Sequence, residues 1–216
     1  ADDLGGLHGA IGAMAALRHR DQTGEGQHVD IALQDAMLFQ SDGLPTLGAL
    51  GIEPTRMGNE FGFAAPANVY DCLDGAVYLG VLLDDHWKIL APIIGEPELA
   101  EHPTFATRDE RAANRDVCNM MVSEWAKQLP REQVLKTLQA AGLPAAPVNT
   151  FPEAAKDPHV QERDMLQPVE FTNGVTMPIT GPAAKFSRTP TKIRSAAPDI
   201  GQHNEEILTG LDMKTD

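Results

Sequence analysis

Ala1-Asp2-Asp3-Leu4-Gly5-Gly6-Leu7-His8-Gly9-Ala10-Ile11-Gly12-Ala13-Met14-Ala15-Ala16-Leu17-Arg18 is the stretch on which the reading of the fold turns. Leu7, Ile11, Met14 and Leu17 recur at helical spacing and make one apolar stripe, so a helix is predicted over residues 5–20. Gly9, Ala13 and Ala16 give a second, very small face that admits another backbone closely, and Arg18, His19 and Arg20 suit the helix's C-terminal dipole. Asp2, at the head of this helix, is the most informative side chain. Aspartate is a preferred N-cap, so Asp2 or Asp3 reads as a cap whose oxygen accepts from the next turn's amides. The other reading is a carboxylate nucleophile or base at a helix start, with free amides nearby to hold an anion. Gly5 and Gly6 would let a ligand approach the backbone there.

After the helix, Thr23-Gly24-Glu25-Gly26-Gln27 turns the chain. It lacks the third glycine of a dinucleotide fingerprint and the Gly-Lys-Ser/Thr of a phosphate loop, so a plain turn is the better reading. Val29, Ile31 and Leu33 alternate with polar or small residues and predict a strand, and Asp35 to Gln40 begins another helix. Residues 41–66 are rich in Gly and Pro and read as a linker or surface loop.

Beyond the linker the texture changes. Val69–Cys72 and Ala76–Leu83 flank Asp74-Gly75, a hairpin signal. A helix is expected from about Asp85 to Ile94, stopped by Gly95 and made irregular by Pro92. Thr107 and Glu110 have capping-box spacing before a helix running to about Lys127, and another helix spans about Arg131 to Ala141, ending at Gly142 and Pro144. Thr150-Phe151-Pro152-Glu153 is a second capping box. Asn173-Gly174 signals a hairpin between 169–171 and 175–179, the tail 182–198 is extended and proline-punctuated, and a short helix closes near Leu211.

Composition bounds the function classes. The chain has 216 residues, 42% hydrophobic and 22% charged, which is ordinary for a globular protein. Its net charge of −14 argues against a nucleic-acid binder, which needs a basic stripe. No apolar run is long enough for a membrane span and no signal-peptide pattern is present, so neither nucleic acid nor membrane is an expected partner. Cys72 and Cys118 lie far apart, as reduced thiols in a cytoplasm do, and cytoplasmic is the expected location.

The histidines at 8, 19, 28, 86, 102, 159 and 203 show no metal-ligand spacing, and no metal is expected. His8 lies on the first turns of the Asp2 helix and either shares its surroundings or is a packed or surface imidazole. Arg56-Met57-Gly58-Asn59-Glu60-Phe61-Gly62-Phe63 is either a flexible linker or a mobile lid over a reactive intermediate.

Taken together, these segments resemble the class III CoA-transferases, the family that includes carnitine and formyl-CoA transferases and α-methylacyl-CoA racemases. The resemblance runs from Ala1-Asp2, Gly6 and Ala15-Ala16-Leu17 through Arg20, Thr23 to Asp30, and Asp35-Ala36. It continues through Arg56-Met57-Gly58-Asn59, Ala65-Pro66, Tyr70 and Asp74-Gly75 to Ala141 to Val148 and Asp157-Pro158-His159-Val160 with Arg163. It closes on Lys185-Phe186-Ser187, Thr189-Pro190 and Ala197 to His203.

The resemblance implies an α/β fold: residues 1–60 as the end of a Rossmann-like large domain and linker, 61–148 as a smaller α+β domain, and 149–216 returning to the large domain. It places the catalytic aspartate at Asp2 and the substrate loop at Gly58, Asn59 and Gly62. The implied reaction moves CoA between an acyl-CoA and a carboxylic acid through an aspartyl-CoA thioester. CoA or acyl-CoA enters as substrate, a carboxylate is the acceptor, and no metal is involved.

The Arg56-Met57-Gly58-Asn59 loop favours transfer over the racemase chemistry of the same fold, whose histidine lies upstream in the family. The family's amino-terminal portion, which supplies most contacts to CoA, is not in this sequence, and the cofactor-binding residues here are unknown. Members form interlocked dimers. The chain is therefore expected to be inactive alone, to work as a homodimer or with a chain carrying that portion, and to leave Leu7, Ile11 and Met14 uncovered. A non-catalytic domain that only packs against a partner is the contrasting reading.

Overall fold

The computed structural model describes residues 1–211. The chain divides into two units, Ala1–Gly58 and Asn59–Asp216. Its content is mixed α/β, with helices and small sheets.

The first unit is led by α1 (Asp2–Thr23), a helix of 22 residues that reaches beyond the predicted 5–20 at both ends. It stops at Gly24, whose φ of 80° is left-handed and whose N–H returns to Arg20 O at 2.7 Å. Helix α2 (Leu33–Phe39) packs on α1, and its first residue fills a space that only glycine leaves. A Cβ on Gly5 would stand 2.3 Å from Leu33 Cδ2, and one on Gly12 would stand 2.9 Å from Val29 Cγ1. The close approach therefore falls at Gly5 and Gly12, where side chains rather than another backbone come near. At Gly9, named in the expected small face, nothing lies within 4 Å.

Two expectations fail in this unit. Residues 25–32 carry no helix or strand, and Leu33 belongs to α2 rather than to a strand. Alternation is a necessary mark of a strand but not a sufficient one: a strand needs a hydrogen-bonding neighbour, and none among the described residues supplies it. The linker reading of 41–66 also gives way in part, because Gly43 (φ 80°) and Pro45 start a short helix, α3 (Leu44–Ala49). Ala36 is the buried apolar side chain of the unit, while Leu7, Ile11 and Met14 are 60%, 61% and 62% exposed.

The second unit has a core of its own. Strands β1 (Ala67–Cys72), β2 (Gly75–Gly80) and β3 (Ala145–Val148) form an antiparallel sheet in that order. Cys72 pairs with Gly75, so the hairpin turns on Leu73-Asp74, one position before the Asp74-Gly75 signal. Strand β3 had no sequence signal, and it carries Pro147 opposite Val77, as an edge strand can.

The sheet packs with α4 (Asp84–Ile93), α6 (Arg115–Ala126) and α7 (Arg131–Ala140) around Tyr70, Val77, Leu79, Trp87, Leu90, Cys118, Val122, Val134 and Leu138, and α5 (Arg108–Ala113) sets the buried Arg111 beside Trp87. The single helix expected to run to Lys127 is broken at Asn114 (φ −110°, ψ 32°), whose side-chain amide donates to Glu110 O at 2.9 Å. Asparagine competes with the helical ladder in this way and ends α5 there. The Thr107 and Thr150 capping boxes both form, the second opening α8 (Phe151–Ala155). Next come α9 (Pro158–Glu162), the β4 (Leu166–Glu170) and β5 (Thr176–Thr180) hairpin, a largely irregular tail, and α10 (Asn204–Gly210). Among the described residues, no helix is long and apolar enough to cross a membrane.

Candidate active site

Asp2 is the first residue of α1, and Ala1 occupies the cap position without a side-chain cap bond. The cap reading of Asp2 and Asp3 therefore gives way: both stand inside the first turn, where the helix dipole favours negative charge. The ladder opens with Gly5 N–H donating to Ala1 O at 2.8 Å, so the amides of Asp2, Asp3 and Leu4 have no acceptor within the helix. Asp2 is exposed, and a Cβ position on Gly6 meets nothing within 4 Å. An open carboxylate thus stands at the end of a helix whose first amides are free, with open space beside Gly6.

His8 does not share that opening. Its ring meets Phe39 edge-on with centroids 5.3 Å apart, and it lines a cavity of about 330 Å³ with Asp30 and Asp35. The half-buried ring fits the reading of His8 as a packed or surface imidazole. Gly24-Glu25-Gly26 is a helix stop, with Thr23 Oγ1 accepting from Glu25 N–H at 3.1 Å. Among the described residues, no group of three or more His, Cys, Asp or Glu is placed to hold a metal ion.

The predicted loop residues fall on both sides of the division of the chain: Gly58, at φ 62°, ends the first unit, while Asn59 and Gly62 belong to the second. Within the second unit the loop is held at several points. Phe61 N–H donates to Ala67 O at 3.2 Å, Arg115 Nη2 donates to Gly62 O at 3.3 Å, and the Phe61 and Phe63 rings meet edge-on at 5.6 Å. Asn119 Nδ2 donates to Glu60 Oε1 at 2.9 Å, and the Tyr70 hydroxyl donates to Asn119 Oδ1 at 2.6 Å. Burial pushes the Tyr70 hydroxyl well above the ordinary phenol range, so it stays neutral.

The sequence profile of CoA-transferase family III matches residues 1–204. This chain belongs to CoA-transferase family III. The beta subunit of succinyl-CoA–L-malate CoA-transferase from Chloroflexus aurantiacus is 36% identical over 212 residues, covering 96% of this chain and 52% of that protein. The formyl-CoA:oxalate CoA-transferase of Streptomyces coelicolor is 31% identical over 222 residues, covering 95% of this chain and 54% of that protein. The crystal structure of a CAIB/BAIF family protein from Brucella suis superposes with a TM-score of 0.74 at 33% identity, covering 96% of this chain and 54% of that one. The chain spans about half the length of the curated relatives it matches.

Some features of this family III chain were not read from its sequence. Arg111 is fully buried and donates to Ala65 O at 2.9 Å, Phe105 O at 2.9 Å, Ala106 O at 3.2 Å and Asp84 Oδ1 at 3.0 Å. A signal existed, since Arg111 stands seven, eleven and fifteen positions before Cys118, Val122 and Ala126 on the buried stripe that α5 and α6 share. No such signal existed for Asn119 and Glu60, whose pairing is made by the fold between distant positions.

Proposed function

We propose that Asp2 is the nucleophile of a CoA transfer between an acyl-CoA and a carboxylic acid, carried out by the complete protein in the cytoplasm as a dimer or a larger assembly. The observation that supports this reading is the open Asp2 carboxylate at the first turn of α1, in a chain that belongs to CoA-transferase family III. The two cysteines are both free, which suits a reducing compartment.

In this reading an Asp2 oxygen attacks the thioester carbonyl of the donor, the C–S bond breaks, and CoA leaves as its thiolate from a mixed anhydride. The thiolate attacks the Asp2 carbonyl of the anhydride, the donor acid leaves as its carboxylate, and an aspartyl-CoA thioester remains. The acceptor carboxylate attacks that thioester and again expels the thiolate. Attack of the thiolate on the acceptor's own acyl carbon then gives the new acyl-CoA and restores the Asp2 carboxylate. No oxidant or net proton is needed, and the thioester energy is conserved because each step exchanges one activated acyl group for another. Free N–H groups at a helix start suit the negative charge that develops on the attacked oxygen. Gly58, Asn59 and Gly62 serve as the loop that keeps water from the anhydride.

The test is the complete protein with Asp2→Asn, incubated with a panel of acyl-CoAs and examined by intact-mass spectrometry. Wild type is expected to gain a CoA-sized, hydroxylamine-labile adduct on the peptide containing Asp2. The variant is expected to lose both adduct and transfer, with stability changed by about 1 kcal/mol or less, the scale of a carboxylate's interaction with the helix dipole. Transfer at the wild-type rate by Asp2→Asn overturns the assignment, and adduct-free wild type points to the non-catalytic reading.

A further inference from the structure

The hydrogen-bond chain behind the loop has a fixed direction. Tyr70 is 2% exposed in β1, Asn119 is partly buried on α6, and Glu60 is partly buried beside Asn59. A carboxylate accepts hydrogen bonds and cannot donate them, so Asn119 must turn its NH2 toward Glu60. Its oxygen then faces Tyr70, where a phenol kept neutral by burial donates. The amide cannot flip without setting two acceptors against each other at one end. Glu60 is thereby held by an amide that is itself held from the core side.

We propose that Asn119 is a positioning residue, tethering the loop of Asn59 and Gly62 through Glu60 with a donor whose orientation Tyr70 fixes. The tether's bearing on turnover rests on the reading of that loop as the substrate loop. A side-chain hydrogen bond is suited to this work, because it is directional but can open without disturbing the strand and helix behind it. Movement of the loop then costs the Asn119–Glu60 bond while the Tyr70–Asn119 bond persists, and the loop returns to one registered position. Phe61 N–H, which donates to Ala67 O one residue after Glu60, reports directly on whether that position is held.

The donor and acceptor roles can be exchanged without changing shape. Asn119→Asp keeps an acceptor for Tyr70 but sets a carboxylate against Glu60. Glu60→Gln keeps an acceptor for Asn119. The double variant restores one donor and one acceptor with the polarity reversed. Backbone hydrogen exchange is to be measured in the intact protein for the peptide covering 58–63 and for peptides from β1 and β2.

Asn119→Asp is expected to speed exchange at the loop about tenfold, as loss of one net hydrogen bond does, with the strand peptides unchanged. Glu60→Gln alone should stay near wild type, and the double variant should return to within about twofold of it. Loop exchange in Asn119→Asp at the wild-type rate, or a double variant as fast as the single, overturns the tether. Transfer kinetics of the same variants separate the two readings. A fall in kcat that the double variant rescues ties the tether to turnover. Unchanged kcat and KM beside faster exchange leave the tether standing and remove the loop from catalysis.

Discussion

Replacing Arg111 with Met should cost the second unit about 3–4 kcal/mol. The guanidinium is fully buried and donates to three backbone carbonyls, those of Ala65, Phe105 and Ala106, and to the Asp84 carboxylate. Methionine fills much of the same volume, so the cavity contribution is small. The three carbonyls are left without their donor, at about 1 kcal/mol each. Asp84 adds less, because its side chain is 48% exposed and water replaces the lost partner. The guanidinium carbon also lies 5.8 Å from the ring centre of Trp87, a cation–π contact that the variant loses.

Trp87 is itself fully buried, so its fluorescence during urea unfolding follows this region, and linear extrapolation gives the free-energy difference. Arg111→Lys should recover only part of the loss, since one ammonium cannot span acceptors on the Ala65 segment, the 105–106 turn and α4 at once. A loss below about 1 kcal/mol for Arg111→Met would show that the carbonyls find other donors, and would refute the clamp.

Further outcomes follow from Glu153 and the thiols. The Arg131 guanidinium at 2.7 Å, with the Thr150 amide and hydroxyl, holds the Glu153 carboxyl down at about 2. Its folded value lies below that of a free glutamate, so its contribution is present above about pH 4.3 and fades as pH falls toward 2. Glu153→Gln should therefore be less stable than wild type at pH 6, with the difference closing on acidification; a gap independent of pH would contradict this. Burial pushes the Cys118 thiol up to about 11, and Cys72, only partly buried, is also raised, by burial and then by Asp74 and Asp71. Alkylation at pH 8 should modify Cys72 first and reach Cys118 only on unfolding, and equal labelling of the native protein would count against the buried assignment.

What the sequence made legible was local. Thr107 with Glu110 and Thr150 with Glu153 announce their helices because each capping box is complete within four residues. The two hairpins were equally visible, since turn residues and alternating strands lie side by side. The expected strand through Val29 and Ile31 failed because its existence depends on a neighbour, which a local pattern does not encode. Strand β3 escaped notice for the converse reason: Ala145 to Val148 have little strand character, and their pairing with β2 makes them one.

The candidate site divides along the same line. Asp2 was legible as a charged residue at the head of a glycine-rich helix, though its place as helix residue rather than cap was not. The link from Tyr70 through Asn119 to Glu60 joins positions 49 and 59 residues apart, and only packing brings them together.

Helix α1 carries glycine at positions 5, 6, 9 and 12, and each costs about 1 kcal/mol relative to alanine in a helix. Four glycines in 22 residues weaken the helix on its own, and helical stability in proteins comes mostly from packing. A surface that covered Leu7, Ile11 and Met14, which are exposed here, would therefore shift its coil-to-helix balance. The direction of the Asp2 carboxylate would then not be an independent property of the first turn: it would be coupled, through the helix, to the covering of an apolar face that begins five residues along. Covering that face should order the carboxylate as well, without any change at Asp2 itself.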